Sequence, residues 1–152
     1  TRSSVRGMPD TSDNGRLERR PGLNLTGKAT GWRVEMYEYR AIMTKIVDGD
    51  TYDLVIDLGL RVQARARVRL RGVETPETYG VVSGSEEWTR GQAAVAFVRA
   101  WFERHGPDLI VQTFIDRTGK FGRWIVEIED LDRSARLSRD LLAAGHAVTV
   151  DW

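Results

Sequence analysis

Residues 61–70, "RVQARARVRL", alternate with period two: Ala64, Ala66, Val68 and Leu70 fall on one face, and Arg65, Arg67, Arg69 and the following Arg71 fall on the other. That pattern predicts a strand with one buried face. Two β-branched and aromatic runs precede it, "YEYRAIMTKIV" (37–47) and "TYDLVIDL" (51–58), separated by the turn signal "DGD". With "DLGL" as a second turn, the three runs predict an antiparallel meander. After a Gly- and Ser-containing loop (79–85) the spacing becomes helical. Ala94, Phe97, Val98, Trp101 and Phe102 make one stripe, and Gly106 is a plausible stop. "DLIVQTFI" (108–115) and "RWIVEIE" (123–129) read as two further strands. "SARLSRDLLAAG" (134–145) reads as a helix capped by Ser134, with Leu137, Leu141 and Leu142 on its apolar side. Trp88, Trp101 and Trp124 are expected in the core. The elements sum to a β-rich α+β domain. Five strands with that helix placement suit a small OB-like Greek-key barrel carrying two to three helices.

Composition narrows the class without naming a chemistry. The chain's 152 residues suit a single core. No apolar run approaches 18 residues and no signal-peptide pattern is visible, so no membrane partner is expected and a cytoplasmic location is. A monomer is expected. Zero cysteines exclude thiol nucleophiles, disulfides and zinc–thiolate sites. Residues 1–35 are polar, aperiodic and basic, and read as a flexible tail before a domain spanning 36–152; Met36 stands as an alternative start. Net charge is only +1, and the excess of basic residues lies in the tail. Any surface of the domain that binds a polyanion must therefore be a local arginine cluster.

Three short segments could carry chemistry, and each has a plain structural reading. "DGDT" (48–51) is a hairpin turn by composition, and it is not an EF-hand loop, since Tyr52 and Gly59 stand at the fifth and twelfth positions where oxygen ligands are needed. "VETPET" (73–78) could cap a short helical turn through Thr75, Pro76 and Glu77. "TGKFGR" (118–123) could be an ordinary hairpin loop with Lys120 and Arg123 solvated. His105 and His146 lack partners at ligand spacing and read as structural.

Taken together and in order, "VDGDT", "VRLRGVETPE", "GKFGR" and "LSRDLLAAGHA" resemble the staphylococcal nuclease (thermonuclease) family, over about residues 40–150. The likeness implies a metal-dependent nuclease acting on DNA or RNA. It implies a calcium site at Asp50, Glu74 and the Thr75 carbonyl, with magnesium or another divalent ion as alternatives. It implies Glu77 as general base and Arg69 and Arg123 as the phosphate-gripping arginines. Glu74 stands where the family usually has aspartate, so an altered metal preference is expected. Phe121 replaces a common tyrosine, and the chain stops at Trp152, before the further helix of longer members. The chemistry is consistent with those roles. Phosphodiester hydrolysis builds negative charge in the transition state, which guanidinium groups and a hard cation stabilise, while a carboxylate can activate water. The alternative is an OB-type module that binds nucleic acid or protein without cutting. Arg65, Arg67 and Arg71 are expected to extend the phosphate-tracking face.

Overall fold

The computed structural model describes residues 36–114 and 124–151. The expected tail, residues 1–35, and the loop that contains Lys120, Phe121 and Arg123 lie outside the described residues. Within them the architecture is the expected one, a closed five-stranded barrel with two helices.

The meander forms first in sequence. β1 (Met36–Asp48), β2 (Thr51–Asp57) and β3 (Gln63–Leu70) are antiparallel neighbours, and β3 starts two residues later than the alternation suggests. The "DLGL" turn takes up the difference. Gly59, Leu60 and Arg61 all adopt positive φ, and the Asp57 carboxylate accepts from the Gly59 N–H at 2.8 Å. β1 closes the barrel by serving twice. Its first half pairs with β5 (Asp108–Phe114), its second half pairs with β2, and irregularities between Met43 and Lys45 and between Ile46 and Asp48 bend it. β6 (Trp124–Asp130) completes the order β1-β2-β3-β6-β5, antiparallel to β5 and parallel to β3 over three residues.

The predicted parity decides the core. Val68 and Leu70 are fully buried while Arg65 and Arg67 face solvent. α1 (Glu86–His105) supplies Val98, Trp101 and Phe102 to the same cluster, and the Phe102 ring meets the buried Tyr52 edge-on at 5.4 Å. Ser85 caps α1 by accepting from the Trp88 N–H. α2 (Leu137–Ala143) buries Leu137 and Leu141 against the barrel, and its Asp140 accepts from the Trp101 indole at 2.9 Å.

Three expectations change. Ser134 does not cap α2: the cap position is Arg136, and the Ser134 hydroxyl instead donates to Asp130 at 2.6 Å. Trp124 is 54% exposed, because it opens β6 at the barrel's end, although its register partner Val68 is wholly buried. A ribbon of two-residue strands, β4 (Val73–Glu74) and β7 (Val148–Thr149), was not legible in the pattern. Such strands are too short for a period to show.

Candidate functional site

Arg69 lies second from the end of β3, on the outer face. Three residues later the chain turns at Gly72, whose φ is 69°, and enters β4. The turn brings Glu74 back beside Arg69: Arg69 Nη2 lies 3.5 Å from Glu74 Oε1 and 3.8 Å from Asp50 Oδ2. One guanidinium therefore stands between two carboxylates from different parts of the chain. Asp50 and Arg69 are largely buried and Glu74 is half exposed, so Glu74 meets water on its open side.

The DGD turn is built to hold Asp50 in place. Asp50 Oδ1 accepts from the Thr51 hydroxyl at 3.0 Å, and Oδ2 accepts from the Thr75 N–H at 3.3 Å. From inside the core the Tyr52 hydroxyl donates to the Gly49 carbonyl. Burial, and then the nearby Asp50 and Asp48 carboxylates, push the Tyr52 phenol well above its ordinary range, so it remains a neutral donor. Asp48 faces the other way, accepting from the Gly49 N–H at 2.9 Å and from the Thr78 hydroxyl at 3.1 Å.

Two glycines position the loop that carries Thr75 and Glu77. A Cβ at Gly49 would lie 2.5 Å from Thr75 Oγ1, and a Cβ at Gly91 of α1 would lie 2.9 Å from the carbonyl oxygens of Pro76 and Glu77. The loop is thus seated between the hairpin turn and the helix at contact distance. Residues 75–77 are not helical, so the capping alternative for "VETPET" is set aside. Glu77 is exposed and makes no hydrogen bond or ion pair with another described residue. The sequence pattern assigns no role to Gly91 or Thr78, and it reads Gly49, Thr51 and Tyr52 only as turn and strand residues. Only the glycine inside an otherwise helical run could have signalled a close approach.

The oxygen donors suit a hard divalent ion. Asp50 and Glu74 offer carboxylates and Thr75 a main-chain carbonyl, and the buried Thr75 hydroxyl oxygen has no hydrogen-bond partner. The set is lean: among the described residues no three Asp, Glu, His or Cys cluster as a metal group. Beside it runs a groove of about 490 Å³ between Glu74–Pro76, the first turns of α1 and residues 145–148. Glu86 and Glu87 line its far wall, and Arg90 and His146 are the groups in its lining able to carry positive charge. Elsewhere on the arginine face, Arg67 is held by Asp53 through bonds of 2.8 and 3.0 Å, and Arg71 lies over the Phe114 ring at 4.1 Å. The predicted phosphate-tracking row is therefore partly committed to its own sheet. His105 packs at a tilt on Trp101 beside Asp130, and His146 packs on Phe97 while lining that groove.

No protein-family model matches the chain, and no curated protein matches it significantly.

Proposed function

We propose that the protein is a metal-dependent nuclease that hydrolyses phosphodiester bonds of DNA or RNA, with calcium the expected ion. One observation carries this reading: Arg69 stands between Asp50 and Glu74 at the end of a barrel strand, and the exposed Glu77 follows Glu74 by three residues on the same loop. Resting ion pairs of this kind hold a phosphate-binding guanidinium and two metal-binding carboxylates within one small volume. Arg69 presents planar donors that match two phosphate oxygens, and those bonds strengthen as negative charge grows on the oxygens in the transition state. Glu77 is available to orient or deprotonate a water, a contribution of about 10²–10⁴-fold. Asp50, Glu74 and the Thr75 carbonyl would hold the ion, which when bound supplies a Lewis acid and a bound water. Arg123 is the second phosphate arginine of this reading and lies outside the described residues.

The test is an assay on denatured DNA with calcium, magnesium and EDTA in parallel. Cleavage with either ion, abolished by EDTA, is expected. A second reading, a barrel that binds without cutting, draws on the leanness of the carboxylate set. It predicts salt-sensitive binding with the strand intact under every metal.

A further inference from the structure

A second cationic feature lies outside this site. Arg133, Arg136 and Arg139, within seven residues of sequence, line a groove of about 370 Å³ with Glu129, Ser138 and Leu142. Three guanidinium groups face a single lining carboxylate. Their other acid partners, Glu38 and Asp140, do not line the groove.

Those partners fix the arginines without exhausting them. Glu38 receives Arg133 Nη1 at 3.0 Å and Nη2 at 2.7 Å. Glu129 receives Arg136 through Nε at 3.0 Å and through Nη2. Arg139 donates Nε to Asp140 at 3.1 Å and Nη2 to the Ser134 carbonyl at 3.1 Å. A guanidinium has five N–H groups, so each of the three retains donors, and Arg136 and Arg139 each keep Nη1. All three side chains are 48–62% exposed, so a ligand can reach them at little desolvation cost. Glu129 itself is almost fully buried and pairs with both Arg136 and Arg133, the latter at 3.8 Å, so what the groove offers a ligand is its exposed guanidinium donors rather than a net positive charge. Guanidinium groups pre-set by carboxylates bind a planar or tetrahedral oxyanion with less entropy loss than free side chains do.

The position relates to the candidate site. Val126 and Ile128 of β6 point into the core, so Ile125, Glu127 and Glu129 share the outer face, and Ile125 is the register partner of Arg69. Glu129 is four residues beyond Ile125, about 13 Å at roughly 3.3 Å per residue. A nucleic-acid strand advances about 3.4 Å per nucleotide even when stacked, so a few nucleotides cover that span.

We infer that the Arg133–Arg136–Arg139 groove binds a phosphodiester group of the same nucleic-acid strand, a few nucleotides from the one at Arg69. The inference rests on the nuclease reading. Its test is the binding of a fluorescent single-stranded oligothymidylate 20-mer in EDTA, followed by anisotropy across a salt series. The wild type, Arg133→Gln/Arg139→Gln and Arg133→Lys/Arg139→Lys are compared, with thermal melts confirming that each is folded. Each phosphate contact on a single strand contributes a slope of about 0.7 in log K against log salt. The glutamine pair is expected to lower the slope by about 1.4, and the lysine pair to keep it. A purely structural role, in which the Glu38 and Asp140 bonds are what matter, would not be rescued in this readout. Wild-type binding with an unchanged slope in the glutamine pair overturns the groove and leaves the nuclease reading standing. Absence of both binding and cleavage in the wild type overturns the nuclease reading and, with it, the groove.

Discussion

Glu74 and Asp50 share one guanidinium, yet their surroundings differ. Asp50 is anchored by two hydrogen bonds and is largely buried, whereas Glu74 is half exposed and its side chain is longer than aspartate. Asp50 should therefore be the ligand that fixes the ion, with Glu74 the adjustable one. Asp50→Asn is expected to weaken calcium binding, read by calorimetry, by at least about tenfold, the scale of one lost charged contact of roughly 1.5–3 kcal/mol. Glu74→Asp should shift the preference between calcium and magnesium while retaining binding. Equal affinity in wild type and Asp50→Asn would remove Asp50 from the metal site. A different residue-level prediction concerns Glu127. Burial raises its carboxyl above the ordinary 4.5, against hydrogen bonds from Ser138 and the Ile128 N–H. The folded chain then holds this proton to higher pH than the unfolded chain does. Its contribution to stability is greatest below pH 4.5 and falls as pH rises through the raised value. Glu127→Gln should gain melting temperature relative to wild type across that interval, and a difference flat with pH would contradict the assignment. Glu38 behaves in the opposite sense. The Arg133 hydrogen bonds hold its carboxyl down at about 2, so the stability it contributes is present above 4.5 and is lost as pH falls towards 2.

The elements meet at glycines. Gly91 sits inside α1, where alanine would ordinarily stabilise by about 0.8–1 kcal/mol through helix propensity. Here the new Cβ would meet two carbonyl oxygens and Thr78 Cγ2 at 2.9 Å, so Gly91→Ala is expected to destabilise by about 1–3 kcal/mol and to displace the loop holding Thr75 and Glu77. A denaturant melt checks the sign, and stabilisation would mean that the loop does not rest on the helix. Much of this scale was legible: the strict alternation of residues 64–71 and the stripe from Ala94 to Phe102 each follow from a single local period. The ends were less so. Ser134 has the composition of a cap, but Asp130, four residues upstream, takes its hydroxyl, and a sequence pattern does not reveal which of two local bonds prevails. Trp124 follows strand parity and still reaches solvent, because parity carries no information about where the barrel stops.

For the molecule as a whole, the order of strands brings residues 25 apart into contact: the Thr75 N–H reaches Asp50 only because the β2–β3 hairpin and the turn at Gly72 bring the chain back to the DGD turn. The barrel was expected from element order, while the shared guanidinium was not, since three weak motifs say nothing of distances. Arg67 illustrates the limit. It has the same residue type and face as Arg69, but its cross-strand partner Asp53 engages it through two bonds. The local arginine cluster that a near-neutral domain needs in order to meet a polyanion lies partly at Arg69 and partly at the groove of Arg133, Arg136 and Arg139.

If Arg69 and Glu77 act on a phosphodiester, the cleavage rate at saturating calcium must depend on both. Wild type, Arg69→Ala and Glu77→Gln, each shown to be folded, are compared on the same denatured DNA. Each variant is expected to lose at least about 10²-fold in rate, the scale of one missing transition-state donor or base. Cleavage at the wild-type rate in both would remove Arg69 and Glu77 from the reaction.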